Sequence, residues 1–84
     1  MRQKSITKDE QFLLKLYEFA TQAGDIERAF DRFAIGRAIG QNDRGANIIA
    51  RDLVAANFVK KGEGDAVYLT AHGLCLIKIL LNSR

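Results

Sequence analysis

The chain has 84 residues, of which 48% are apolar and 27% are charged, and its formal net charge is +3. This length allows one domain with one small core, the balance of apolar and charged residues excludes an intrinsically disordered chain, and a single cysteine excludes a disulfide framework. A net charge this small does not by itself predict a nucleic-acid partner, so the placement of the basic residues has to decide that question.

The first predicted helix begins after Thr7, because Thr7 and Glu10 have the spacing of a capping box. Apolar residues then recur at steps of three and four, which predicts one buried face. They are Phe12, Leu13, Leu16, Tyr17, Phe19, Ala20 and Ala23. Gly24 predicts the end of the helix. Residues 1–6, which include Arg2 and Lys4, are expected to be flexible.

Residues 25–40 allow two interpretations. Asp25 can cap a helix over residues 26–33, or Asp31 can start a separate helix, and the apolar spacing does not decide between them. The following Gly40-Gln41-Asn42-Asp43 supplies the residues expected in a turn between two crossing helices. Asn42 or Asp43 then caps a third helix over residues 44–57. Its inward side is predicted to consist of Ala46, Ile49, Ala50 and Leu53.

The next segment predicts a small β-hairpin. Two short β-prone pieces, residues 58–61 and 66–69, flank Gly62-Glu63-Gly64-Asp65, where glycine and Asp relieve the strain of a tight reversal. Thr70 follows the second piece directly, and its hydroxyl can cap a final helix over residues 71–82.

Two helices joined by a turn, then a hairpin and a last helix, form an order that resembles a winged helix-turn-helix domain. The wing would be residues 58–69, with its tip at residues 62–65. The resemblance covers nearly the whole chain and implies a mainly α fold with a small β-hairpin, of the α+β class, with a three-helix core, a wing and a C-terminal helix. It also implies a single domain over residues 1–84 that binds duplex DNA, as transcriptional regulators do.

In DNA-binding proteins of this kind, the second helix of the helix-turn-helix lies in the major groove. The outward residues of the corresponding helix are Arg44, Asn47, Ile48 and Arg51. Arginine can pair with guanine, asparagine with adenine, and isoleucine can contact the methyl group of thymine. Lys60 and Lys61 in the wing are expected at phosphates. The alternative is that this outward side is an ordinary solvated helix face.

The charge of the predicted binding half favours a second interpretation. Residues 43–65 hold four basic and four acidic residues, so this half is electrically neutral. In that case the domain would be a protein-interaction module without DNA binding, and it would dock its partner through Ile48, Val54 and the C-terminal helix.

The predicted C-terminal helix has apolar residues around almost its whole circumference. One side, formed by Leu74, Ile77 and Leu81, can cover the first helix. The other side, formed by Cys75, Leu76 and Ile79, then needs another partner. A twofold-related copy of the chain is the simplest one, so the sequence predicts a homodimer. The alternative is a terminal helix buried on all sides by the first two helices.

The chemistry-bearing residues predict neither an enzyme nor a cofactor, because no nucleophile with a base and no paired carboxylates in an apolar setting are evident. His72 and Cys75 are the only histidine and the only cysteine, too few for a zinc site. No apolar run approaches the roughly 20 residues of a membrane-spanning helix. Residues 1–8 lack the features of a secretory signal, so a cytoplasmic location is expected.

Overall fold

A computed structural model describes residues 6–82. These residues form α1 (Lys8–Gln22), β1 (Phe30–Asp31), α2 (Arg32–Ala38), α3 (Asp43–Ala55), β2 (Val59–Lys61), β3 (Ala66–Leu69) and α4 (Ala71–Asn82). The α+β class is confirmed: the described chain is mainly helical and has one small antiparallel sheet. None of the described helices is long and apolar enough to cross a membrane. The segment predicted to be flexible lies outside the described residues, apart from Ile6.

Helix α1 begins and ends where the sequence predicts. The backbone N–H of Glu10 donates to Thr7 Oγ1 at 3.1 Å and that of Thr7 donates to Glu10 Oε1 at 3.0 Å, so the capping box is formed. Gly24 follows the last turn with a φ of +75°. The inward residues Phe12, Leu13, Leu16 and Ala20 are fully buried.

The chain between α1 and α2 contains a strand that the sequence did not predict. Residues 26–29 are not helical, and β1 pairs antiparallel with β3, with Phe30 opposite Val67 and Asp31 opposite Ala66. Helix α2 begins at Arg32, and Asp31 caps it by accepting from the N–H of Phe33 at 3.2 Å. The interpretation with a helix over residues 26–33 is therefore wrong, and the restart at Asp31 is confirmed.

Helices α2 and α3 approach each other closely through a glycine. Gly36 is buried, and a methyl group added to it would overlap the Cβ of Ala46 on α3. Gly40 ends the preceding helix with a φ of +81°, and Asn42 caps α3 by accepting from the N–H of Gly45 at 2.8 Å. Gly36 thus allows the close packing of the two helices, whereas Gly40 serves as the turn.

The predicted hairpin is confirmed as strands β2 and β3, which form a sheet of order β1-β3-β2 with the missed strand. Val59 lies opposite Leu69, and both are buried together with Val67. These three side chains pack against the buried residues of α1 and α3 and belong to the same core. The hairpin turn places Gly64 at a φ of +60°, which requires glycine or a residue that tolerates the left-handed region.

Helix α4 is attached to the end of α3 through Thr70. The N–H of Gly73 donates to Thr70 Oγ1 at 2.9 Å, and this hydroxyl lies 2.8 Å from the carbonyl oxygen of Asn57. Ile77 is fully buried, while Leu74 and Leu76 pack in part against the core. Leu81 follows Ile77 by four residues and shares its face, but it lies near the end of the helix and is 45% exposed, so the predicted cover of the first helix does not extend to it.

Candidate nucleic-acid interface

The outward side of α3 carries three of the residues that the sequence singled out. Burial of Ala46, Ile49, Ala50 and Leu53 fixes the rotation of this helix. The same rotation leaves Arg44, Ile48 and Arg51 exposed, because residues three, four and seven apart share a face. Ile48 is 46% exposed and therefore adds an apolar contact surface between the two arginines.

Asn47 has a different environment from these three residues. It is half-buried, and its Oδ1 accepts a hydrogen bond from Nη1 of Arg32 at 2.9 Å. Bidentate pairing with adenine needs the amide oxygen of asparagine as an acceptor. Since that oxygen already binds a guanidinium, the geometry favours a positional role for Asn47 over its predicted role as a base reader.

Arg32 is the residue of this region that sequence reasoning missed. It is only 6% exposed, and its Nε donates to the carbonyl oxygen of Asp65 at 2.9 Å in addition to the bond with Asn47. The signal was present in the sequence, because a helix that starts at Asp31 places Arg32 on the same face as Ile35 and Gly36. An arginine at a position that helix periodicity assigns to the buried face indicates that its guanidinium has specific hydrogen-bond partners.

The two wing lysines are exposed but lie on opposite faces of the hairpin. Lys60 is opposite Tyr68 in the register and Lys61 is opposite Val67. Successive side chains of a strand alternate between faces, so a single straight phosphate backbone would not meet both in the same way. The exposed acids Glu63 and Asp65 stand near them at the turn.

On the side of α3 that faces α1, the electrostatic character is acidic. A shallow groove of about 270 Å³ runs between the start of α1 and α3, and Lys8, Asp9, Ile48 and Asp52 help to line it, so two carboxylates stand against one ammonium group. Partial burial, followed by the negative charges of Asp52 and Glu10, raises the pKa of Asp9 above its ordinary value. The excess of negative charge makes this groove less favourable for a phosphate backbone than the side of α3 that carries Arg44 and Arg51.

The exposed part of α4 includes two of the three residues predicted for a dimer interface. Cys75 is exposed and Ile79 is 62% exposed, whereas Leu76 is partly covered by the core. His72 stacks on Phe58 with ring centroids 4.7 Å apart and the planes nearly parallel. Among residues 6–82, no group of three or more His, Cys, Asp or Glu side chains could hold a metal ion.

Comparison with protein-family models, with curated proteins and with solved structures found no match to this chain.

Proposed function

We propose that this chain is a winged helix-turn-helix protein that binds duplex DNA through the outward side of α3 and acts as a small transcriptional regulator in the cytoplasm. The observation that carries the proposal is the joint exposure of Arg44 and Arg51 on the helix that precedes the hairpin. They are seven positions apart, or roughly 10 Å along the helix axis, which fits within one major groove about 12 Å wide.

The connection between α2 and α3 supports the same proposal. It consists of residues 39–42 and contains Gly40 in the left-handed region. Helix-turn-helix units are joined by turns of this length that often contain glycine, and their second helix is the one that enters the groove. The hairpin follows α3 directly, and Arg32 links Asp65 in the hairpin turn to Asn47 on α3. The hairpin would therefore lie beside a duplex bound to α3.

The first test is the salt dependence of binding to a short generic duplex, followed by fluorescence anisotropy. Each phosphate that a cation neutralises releases condensed counterions, so the affinity falls as salt rises. If the four cations Arg44, Arg51, Lys60 and Lys61 each contact a phosphate, affinity should fall roughly 100-fold between about 50 mM and about 200 mM salt. An absence of binding at the lower concentration would reject the proposal.

The proposal extends to a homodimer through α4. Cys75 and Ile79 lie one helical turn apart and are exposed, and Leu76 beside them is partly covered. Burial of such a surface against its twofold copy would remove apolar area from water. It would also place two α3 helices for half-sites about 34 Å apart on the duplex.

The α4 dimer predicts that Ile79→Asp yields a monomer with unchanged helix content, because a carboxylate would be buried in an apolar contact. Sedimentation equilibrium measures the change. Ile48→Asp makes the same substitution at an exposed isoleucine on α3 and is expected to leave the dimer intact. A wild-type protein that remains monomeric throughout, or dissociation by Ile48→Asp alone, would rule out the α4 interface.

A protein-interaction module is the second candidate, and the observation that favours it is the position of Ile48. This side chain is 46% exposed and lines the acidic groove beside α1, so it offers an apolar contact next to negative charge. A basic partner segment would fit that surface. In this case Ile48→Asp would abolish partner binding, whereas replacement of both Arg44 and Arg51 would leave it unchanged.

A further inference from the structure

Arg32 joins three separate parts of the structure. Its backbone N–H and its Nε both donate to the carbonyl oxygen of Asp65, at 3.1 Å and 2.9 Å, where the turn of the hairpin enters β3. Its Nη1 donates to Oδ1 of Asn47 in the middle of α3 at 2.9 Å. A single side chain thus ties the start of α2 to the hairpin turn and to the helix proposed to enter the groove.

The setting of this guanidinium is unusual for a charge. Arg32 is 6% exposed, and within residues 6–82 its hydrogen-bond acceptors are neutral, because neither of the ion pairs among these residues involves it. Burial of a charge without an opposite charge is unfavourable, even where neutral acceptors satisfy some donors. An apolar residue would fill this position at lower cost, so the geometry of the hydrogen bonds is what distinguishes arginine here.

That geometry suits the distance between the two acceptors. The planar guanidinium presents donors in fixed directions, so Nε and Nη1 define the position of Asp65 relative to Asn47. The hairpin is also attached through the pairing of β3 with β1, in which Ala66 lies opposite Asp31, and through the burial of Val59, Val67 and Leu69. The side chain of Arg32 adds a link from this end of the hairpin to α3.

We propose that Arg32 is a positioning residue that fixes the hairpin tip relative to α3, and that through this role it decides whether the wing lysines contribute to DNA binding. The effect on DNA binding rests on the proposed function, whereas the positioning of the hairpin tip does not involve DNA. The two parts therefore have separate tests.

The structural part is tested on the free protein by the distance between two spin labels. In a Cys75→Ser background, labels at Ala55→Cys on α3 and Glu63→Cys in the turn report the spacing, and both positions are exposed. Arg32→Met keeps most of the stem and the backbone bond to Asp65 but removes the side-chain donors to Asp65 and Asn47, so it should broaden the distance distribution. Arg37→Met removes the charge of an exposed arginine on the same helix and should leave the distribution unchanged. An unchanged distribution in Arg32→Met would refute the positioning role.

If Arg32→Met does not fold, Asn47→Ala serves as the second variant, because it removes one acceptor and retains the bonds to Asp65. It should broaden the same distribution to a smaller extent. Asn47→Asp keeps an acceptor at this position and gives the guanidinium an ionic partner, so its distribution should be as narrow as that of the parent protein. Equal widths for the alanine and aspartate variants would also refute the proposal.

The functional part is tested by a double-mutant cycle on duplex affinity. In the parent protein, replacing Lys60 and Lys61 by Ala should weaken binding roughly 10-fold, as expected for the loss of about two phosphate contacts. In Arg32→Met the same replacement should change affinity less than about 3-fold, because the displaced wing no longer contributes. A variant that merely reduces stability would still show the full loss of affinity when Lys60 and Lys61 are replaced. Equal losses of affinity in the parent protein and in Arg32→Met would overturn the inference. If the parent protein does not bind duplex, the proposed function fails, and the spin-label result still decides the positioning role.

Discussion

We expect Gly73→Ala to destabilise the domain by about 3 kcal/mol, a large part of the total stability expected for a chain of this size. A methyl group at this position would overlap the carbonyl oxygen of Phe58, and the carbonyl carbon and Cα of Phe58 lie close behind it. These are backbone atoms that cannot rotate away. To relieve the overlap, α4 would have to move away from the end of α3, and Ile77 would lose its fully buried position.

Equilibrium unfolding in urea, followed by circular dichroism, measures this change in free energy. Gly45→Ala is a suitable control, because Gly45 is also helical but an added methyl group would mainly meet the end of the flexible Gln41 side chain. Alanine also favours the helix by up to about 1 kcal/mol over glycine. The control should therefore change stability much less than Gly73→Ala. An equal unfolding midpoint for Gly73→Ala and the parent protein would show that α4 is not held against Phe58 in this way.

The elements that sequence reasoning found are those with local signals. Thr7 and Glu10 form the capping box, Thr70 caps α4, and Gly64 adopts the positive φ that the turn needs. Each of these depends on residues within a few positions of one another, so spacing and residue type are sufficient. The helices and the hairpin are therefore predictable with errors of a few residues at their ends.

Strand β1 could not be found in this way. It has two residues, too few for an alternating pattern, and its pairing partner β3 lies more than thirty residues further along the chain. Phe30 is held there by contacts that sequence spacing does not reveal, including an edge-on contact with the ring of Phe19 at 5.7 Å. Without the strand, the sequence does not decide whether a helix begins after Asp31.

The sequence predicts the exposed residues of the candidate site but not the buried contact beneath them. Arg44, Arg51, Lys60 and Lys61 are exposed as expected, since helix periodicity and strand position determine exposure. The bond between Arg32 and Asn47 spans two helices and depends on how they cross, which the Gly36 contact sets. Such a contact requires the tertiary structure, and it occupies the amide oxygen through which Asn47 was predicted to read a base.

The electrostatic asymmetry around α3 also depends on the fold. From the sequence, residues 43–65 are neutral, which argued against DNA binding. In the structure, Asp52 lies with Asp9 along the groove beside α1, whereas Arg44 and Arg51 are exposed on the outward side. One of the four acids of residues 43–65 thus lies away from the two arginines, so the neutral sum does not by itself give the charge of the outward side of α3.

The double variant Arg44→Ala/Arg51→Ala is expected to weaken duplex binding roughly 100-fold, since each arginine contact with a base or phosphate contributes about 1 to 3 kcal/mol. Both side chains are exposed, so stability should change by less than about 1 kcal/mol. Anisotropy over a range of salt concentrations gives a second readout. If the arginines contact phosphates, the slope of log affinity against log salt should become shallower by about two; if they contact bases, the loss should be greatest on the preferred sequence.

Loss of two positive charges anywhere would weaken attraction to DNA, so a charge-matched control is needed. Lys15→Ala/Arg28→Ala removes the same charge from α1 and from the segment before β1, away from the outward side of α3. This control should reduce affinity by less than about 3-fold at moderate salt, because distant surface charges are screened. Equal losses for the two double variants would mean that net charge, and not the outward side of α3, determines binding. Retained affinity in Arg44→Ala/Arg51→Ala would place the duplex elsewhere and shift the assignment of Ile48 to a protein partner.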